Sequence, residues 1–380
     1  MQGGRAAEAA TPASARLFEQ VVERVRRDFI DSIPSDDLYR KAAVGLAREI
    51  DDPYSVVLTP DGLRRLREAA TGQYPGVGIE LDVRDGFVTV IAPVSGSPAD
   101  SAGIRPGDRI VAVNGRSVVG LPINEVQQLL RGSRGTTVTL GLERAETTPR
   151  TVTLRRAQIR FHPVQAATMP APGIGYVELA TFSDSAAIEV RRSVDSLRSA
   201  GARSLILDLR ENPGGLLEQG ISVANLFLGA GTVIVSTRGR TPEADQDFTA
   251  REREAWPGMP VVVLVDSGSA SASEIVAGAL QDHNRARVVG TASYGKGSAQ
   301  SVFPLIGERA FKLTTARWFT PNGRSIDRDS TGRGGITPDV MVPRVPADTA
   351  DAALARAIAL LSERAPDATA EKRPARRSEP

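Results

Sequence analysis

Cysteine is absent from the 380 residues of this chain. Disulfides, thiol nucleophiles and cysteine-held metals are therefore excluded, while the compartment stays open, because a disulfide-free protein is stable in either redox setting. Histidine occurs only at His162 and His283, and lysine only at Lys41, Lys296, Lys312 and Lys372, so arginine supplies 43 of the 47 basic residues. Lysine gives up its proton on burial far more readily than arginine, so each lysine kept in such a chain is a candidate for proton chemistry. No apolar run approaches the roughly 18 residues needed to cross a bilayer. The opening MQGGRAAEAA lacks the apolar stretch of a secretion signal, so the protein either works in the cytoplasm or has lost a leader. The net charge of +2 is close to balance and gives no reason to expect nucleic acid or an anionic membrane as partner.

What is present divides into regions. Residues 14–50 carry Leu17, Phe18, Val21, Val22, Val25 and Phe29 at helical spacing, broken at Pro34-Ser35 and ended by Asp51-Asp52-Pro53, which predicts two amphipathic helices. Residues 71–155 read as short strands and turns. Strands are expected at 77–81 and 87–92 around an Asp85-Gly86 hairpin, at 109–113 before an Asn114-Gly115 turn, and at 137–142. Short helices are expected from Ser97 to Gly103 and at 123–131. From 173 to 345 strands alternate with helices. Strands fall at 174–179, 204–209, 261–265, 288–290 and 311–319. Helices follow Ser183, expected to act as a cap, then run from 212–215 to about 227 and over 272–282. That alternation predicts a layered α/β core. A last helix is expected at 351–362, and the tail rich in Pro, Arg and Glu from 365 to 380 reads as disordered.

Three segments of the α/β region carry candidate chemistry. In DLRENPGG, 208–215, a strand turns sharply at two glycines into a helix. Such a turn exposes main-chain N–H groups at a positive helix end and suits an oxyanion hole, although a turn needing glycine for shape alone has the same pattern. In VLVDSGSASASEIVAGAL, 263–280, an apolar strand meets seven small residues and then a helix. Ser267, Ser269, Ser271 and Ser273 compete as nucleophile, and Ser271 with Glu274 also fits a capping box that needs no chemistry. In YGKGSAQ, 294–300, Lys296 lies between glycines. It does not fit the phosphate-loop pattern, whereas a neutral, desolvated lysine can serve a serine as general base.

DLRENPGG, SASASEI and YGKGSAQ, in this order, resemble the C-terminal processing peptidases, the tail-specific proteases of peptidase family S41. RWFTPNGRSI and GITPD, at 317–326 and 335–339, resemble the family's closing segments. The string GVGIELDVRDGFVTVIAPVSGSPADSAGIRPGDRIVAVNG is similar to a bacterial PDZ domain. The resemblance spans about residues 35–345. It implies a ClpP/crotonase-like layered core at 156–345, a small β-rich PDZ domain inserted at 71–155, an N-terminal helical region at 14–70 and a C-terminal helix at 346–364.

Carried over by motif, the resemblance makes Ser271 the nucleophile, Lys296 its base, Gln300 the residue that orients the lysine, and the amides of Gly215, with Gly214 as the alternative, and Ala272 the oxyanion hole. Gly76, Val77, Gly78 and Ile79 would hold a peptide's terminal carboxylate, and the peptide would add as a strand beside them. Arg131, at the end of the PDZ helix, would be a regulatory contact to the protease body, against a plain reading as an exposed helix-terminal arginine. The implied partners are protein or peptide C-termini, with a homodimer through the terminal helices and at most peripheral membrane contact. No cofactor or metal is implied. The family's usual place of work is the periplasm or another extracytoplasmic space, which would make the missing leader a matter of trimming. A PDZ adaptor with a non-catalytic core, a crotonase-type acyl-CoA enzyme and a histidine-based hydrolase are the rival readings. With Lys296 as base, changing His162 and His283 together to glutamine leaves cleavage of an unfolded protein close to wild type. A loss of roughly 100-fold or more, the scale of a missing general base, would return the role to histidine.

Overall fold

The computed structural model describes residues 12–144, 148–328, 334–343 and 351–363. The expected tail at 365–380 lies outside them, as do the ends of the 346–364 segment. The chain forms two units. One comprises residues up to Arg64 together with Ser298–Ala316; the other comprises Arg65–Gly297 and the chain from Arg317 onward.

In the first unit the two predicted helices are Pro12–Asp28 and Ser35–Arg48, separated at Pro34. Leu17, Phe18 and Val21 remain 62%, 50% and 53% exposed, so the apolar stripe of the first helix is not used up inside the chain. Val56–Leu58 pairs antiparallel with Arg309–Phe319, and Ser298–Leu305 pairs with the same strand. The Asp52 carboxylate accepts from the Ser55 hydroxyl, which in turn accepts from the Thr314 N–H at 3.0 Å.

The second unit begins inside the helix Pro60–Thr71, and its two largest sheets are of separate origin. The first is antiparallel, in the order Ile79–Arg84, Phe87–Pro93, Arg109–Val113, Thr137–Glu143 and Arg150–Arg155. It closes over Val88, Val90, Ile110, Leu140 and Leu142, with Val126 of the helix Ile123–Leu130 packed in the same core. Gln73–Gly76 and Ala157–Arg160 pair antiparallel where the chain enters and leaves this module.

The second sheet runs Val164–Ala171, Ile174–Leu179, Ser204–Asp208, Val261–Val265, Ala286–Gly290 and Val340–Met341. Its first pair is antiparallel and the rest are parallel. Parallel strands covered on both faces read as unbroken apolar runs, and the burial follows. Leu205, Leu207, Val261, Val263 and Val265 face a core shared with the helices Ala186–Ser199, Leu217–Asn225 and Ala272–Asp282. Ile206, Val262, Leu264 and Val289 face the opposite layer, made by Ala357, Leu360 and Leu361 of the helix Ala352–Ser362.

One expectation is corrected. Ser183 does not cap the following helix. Its side chain is fully buried and its hydroxyl has no partner among the described residues, while its carbonyl accepts from Ala186 and the helix starts at Ala186. The neighbouring Gly72, where a Cβ would stand 2.9 Å from the Ser183 oxygen, shows how closely the chain packs there. The hairpin Val233–Gly239 with Gln246–Thr249 carries no turn dipeptide of the kind that marked Asp85-Gly86. Leu207→Ala, at a site with no exposure, should lower unfolding stability by about 2–5 kcal/mol in chemical denaturation. A loss below about 1 kcal/mol would mean that this face of the sheet is not close-packed.

Candidate functional site

The buried strand Val261–Val265 ends in a tight run of small residues and restarts as the helix Ala272–Asp282, buried from Ala272 to Leu280. The four serines of this run have different fates. Ser267 is exposed. Ser269 is buried, donating to Leu209 O at 2.7 Å and accepting from Asp266 N at 2.9 Å. Ser273 is buried and donates to Asn212 O at 2.8 Å. Ser271 is half-buried at the helix N-cap, with φ 56° and ψ −113°. That conformation lies outside the ordinary wells of a non-glycine residue and costs about 1–3 kcal/mol, which surrounding contacts must offset.

Those contacts come from both sides. On one side the 208–215 turn is held against the serine run by Asn212, fully buried. Its amide donates to Leu179 O at 2.6 Å, its Oδ1 accepts from Gly214 N at 2.9 Å, and its carbonyl accepts from Ala270 N at 3.0 Å. Gly214, at φ 95°, lies so close that a Cβ would stand 2.7 Å from Ala270 O and 2.9 Å from the Ser271 Cβ. The Gly214 N–H is therefore already engaged by Asn212. The N–H groups of Gly215 and Ala272 donate to no acceptor among the described residues; Ala272 follows Ser271 in the chain, and Gly215 follows the Gly214 that lies against it. The sequence pattern offered Gly214 and Gly215 together; the Asn212 side chain separates them.

On the other side is Glu274, fully buried. Of the capping box expected from Ser271 and Glu274, the half from Ser271 N to the Glu274 carboxylate is formed; the Glu274 N–H donates to the Ser271 carbonyl, and the Ser271 hydroxyl makes no cap bond. The carboxylate does more than cap. Its Oε2 accepts from Ser271 N at 2.8 Å and from Lys296 N at 3.0 Å. Its Oε1 accepts from the Ser293 hydroxyl at 2.6 Å and from Gly295 N at 2.7 Å. Burial pushes the Glu274 carboxyl above its ordinary value, and the hydrogen bonds from Ser293, Lys296, Gly295 and Ser271 pull it back toward the charged form. One carboxylate thus ties the main chain of Ser271 to the main chain of Lys296. Ser293 continues the link, since its hydroxyl accepts from Ile336 N at 2.6 Å.

Gln300 belongs to the first unit, where its Nε2 donates to Ser298 Oγ at 3.0 Å and to Thr314 Oγ1 at 3.2 Å. The histidines lie elsewhere in the fold. His283 is the C-cap of the Ala272–Asp282 helix, about 18 Å along it from Ser271 at 1.5 Å per residue, and its Nε2 lies 2.7 Å from Val233 O. His162 is exposed and faces Glu189 at 3.2 Å. Among the described residues no group of three or more His, Asp or Glu side chains is arranged to hold a metal ion.

In the antiparallel module, Val77 O accepts from Ala99 N at 3.0 Å, and Gly78 O accepts from Val94 N at 3.0 Å and from Ser97 Oγ at 3.1 Å. With these two carbonyls bonded at the short helix Pro98–Ser101 and the turn before it, the trans peptide puts the N–H groups of Gly78 and Ile79 on the opposite side. Gly78 is obligatory on two grounds: its φ is 77°, and a Cβ would stand 2.3 Å from that of Ser97. A cleft of about 180 Å³ opens here, lined by Gly76, Val77, Gly78 and Ile79 on one side and by Gln127, Leu130 and Arg131 on the other. Arg131 pairs with Glu68 at 2.5 Å and stacks over Tyr74. Arg156, only 8% exposed, was not singled out by its sequence context. It donates to Leu129 O, Leu130 O and Thr137 O at 2.8–2.9 Å and so holds the C-terminus of the helix Ile123–Leu130.

Comparison with known proteins adds the following. The model of peptidase family S41 matches residues 173–342, and a PDZ domain model matches residues 89–144. The carboxy-terminal processing protease CtpA of Bacillus subtilis is 35% identical over 85% of this chain and 68% of its own length. The carboxy-terminal-processing protease of Bartonella bacilliformis is 38% identical over 86% of this chain and 74% of its own. The solved structure of a photosystem II D1 C-terminal processing protease covers 87% of this chain and 93% of that one, at 30% identity and a TM-score of 0.50.

Replacing Glu274 with glutamine puts an amide against main-chain donors at full burial. The expected loss is about 2–5 kcal/mol of unfolding free energy, measured by denaturant titration. A variant as stable as wild type would show that the carboxylate does not bear on this junction.

Proposed function

Because this chain belongs to the carboxy-terminal processing proteases of peptidase family S41, we propose that its serine endopeptidase activity runs through Ser271 as nucleophile and Lys296 as general base. The observation that best supports this reading is the Glu274 carboxylate, which bonds the main chain of both residues within 3.0 Å. Ser269 and Ser273 are buried with their hydroxyls engaged, and of the two that remain, Ser267 and Ser271, only Ser271 stands at the helix N-cap with its main chain bonded to Glu274.

The chemistry is as follows. Neutral Lys296 Nζ takes the Ser271 hydroxyl proton as Oγ attacks the scissile carbonyl carbon. The developing oxyanion accepts hydrogen bonds from the N–H groups of Gly215 and Ala272. Collapse breaks the C–N bond, the lysine ammonium protonates the departing amine, and an acyl-ester remains on Ser271. Water, deprotonated by the same amine, attacks the ester, releasing the new C-terminal carboxylate and restoring the hydroxyl. A solvated lysine titrates near about 10.4, so the mechanism needs Lys296 to be neutral well below that. Gln300 assists the lysine on the family pattern alone.

The PDZ module takes the substrate's free C-terminus. Its terminal carboxylate meets the amides of 76–79, its last side chain enters the cleft beside Leu130 and Gln127, and occupancy gates cleavage. The bonded carbonyls of Val77 and Gly78 support that orientation. The exposed Leu17, Phe18 and Val21 support a homodimer through the terminal helices. Among the described residues no helix is long and apolar enough to cross a membrane. The place of action in this reading is the periplasm or an equivalent extracytoplasmic space, with peripheral membrane contact at most.

The test is cleavage of an unstructured protein with an apolar C-terminus by wild type, Ser271→Ala and Lys296→Ala, from about pH 6 to 10. Wild type should cut, with a rate that rises with pH as Lys296 loses its proton. Both variants should be folded and slower by roughly 100-fold or more. Full activity in Lys296→Ala would remove the lysine from the mechanism. A wild type that binds such tails and never cuts them would favour the adaptor reading.

A further inference from the structure

Arg131 follows the groove helix as its C-cap, with extended backbone at φ −74° and ψ 161°. Its guanidinium lines the same cleft as the amides of Gly76 to Ile79, and Tyr74 supports it from below, with the ring centre 5.2 Å away. One nitrogen, Nη1, donates to Glu68 Oε2 at 2.5 Å. The pair is lopsided: the Glu68 side chain is 13% exposed and that of Arg131 is 45% exposed. The carboxylate is therefore the sheltered partner, and the guanidinium keeps an open side. A guanidinium presents five N–H donors in a planar fork, so one carboxylate contact does not exhaust it. The main chain that delivers Arg131 to the groove is held, because buried Arg156 donates to the carbonyls of Leu129 and Leu130 just before it. Glu68 stands in the last turn of the helix Pro60–Thr71, one strand ahead of the amides at 76–79. The groove thus carries both a cation suited to a free carboxylate and an internal anion already placed on that cation.

We propose that Arg131 is a second anchor for the substrate's terminal carboxylate, and that Glu68 is a built-in competitor which sets how tightly the groove holds a free C-terminus. This rests on the reading of the cleft as the C-terminus site. A bound carboxylate shares or displaces Glu68 on Arg131, so peptide affinity depends on a residue outside the PDZ sheet. Removing the competitor tightens binding, whereas a purely structural ion pair would weaken it when broken.

The experiment uses the full chain carrying Ser271→Ala, so that peptide is not consumed. The probe is a fluorescein-labelled peptide ending in Leu-Ala-Ala, once as the free acid and once as the C-terminal amide, followed by anisotropy. Without further change, the acid should bind at least about tenfold tighter than the amide. Glu68→Gln should tighten the acid about three- to tenfold and leave the amide unchanged. Arg131→Gln should weaken the acid about tenfold, and in the double variant Glu68→Gln should have no further effect. Arg131→Lys, which keeps the charge and loses the fork, should fall between and serves if Arg131→Gln does not fold. The inference is overturned if Glu68→Gln weakens the acid, changes acid and amide alike, or still tightens the acid without Arg131. Equal binding of acid and amide before any change at Glu68 or Arg131 would remove the C-terminus reading of the groove itself, and this inference with it.

Discussion

The buried Glu274 carboxylate is the interaction on which the rest of the candidate site depends. A charge with no exposed surface is tolerated only if its oxygens are saturated with donors. Here four donors converge on it: the N–H groups of Ser271, Gly295 and Lys296 and the Ser293 hydroxyl. Because three of the four are main-chain groups, the carboxylate fixes backbone rather than side chains. It holds Ser271 in an uncommon conformation and fixes the start of the lysine loop at the same time. The helix Ala272–Asp282 contributes its positive N-terminal end to the same spot, which favours the carboxylate's charge and any negative charge that develops beside Ser271.

The opposite wall follows the same logic with a neutral group. Asn212 has its amide, side-chain oxygen and carbonyl all engaged, binding the 208–215 turn to the sheet through Leu179 and to the serine run through Ala270. With Gly214 drawn in by this asparagine, Gly215 is left as the turn's outward donor. Both walls rest on strands that are apolar on two faces, Leu205 and Leu207 toward one layer and Ile206 toward the other. The junction is therefore carried by a close-packed scaffold and not by loops alone.

Much was legible in the residues. The SLILDL run announced a doubly covered strand because Leu205, Ile206 and Leu207 in succession leave neither face of a strand polar. Pro34, Asp85-Gly86 and Asn114-Gly115 marked their boundaries, since backbone preference is local. The S-x-x-E box was readable for the same reason. A serine shortly before a helix suits a cap by local sequence, whereas tertiary packing against Gly72 buries Ser183 instead. Asn212 and Arg156 were missed because their value lies in acceptors contributed by remote chain, 33 residues away for Leu179 and 26 for Leu130.

By itself, the sequence determined the inventory of chemistry: no thiol, two histidines, a lysine between glycines, serines before a helix and a PDZ-like run. It also determined which segments become helix and strand, because those depend on neighbours within a few residues. Tertiary structure alone decided which serine is strained and which are buried, which glycine amide is taken, and which cation faces the groove beside Glu68. Those outcomes depend on where distant donors and acceptors meet at full burial, and hydrogen-bond saturation in a buried site is a property of the packed chain, not of any short stretch of it.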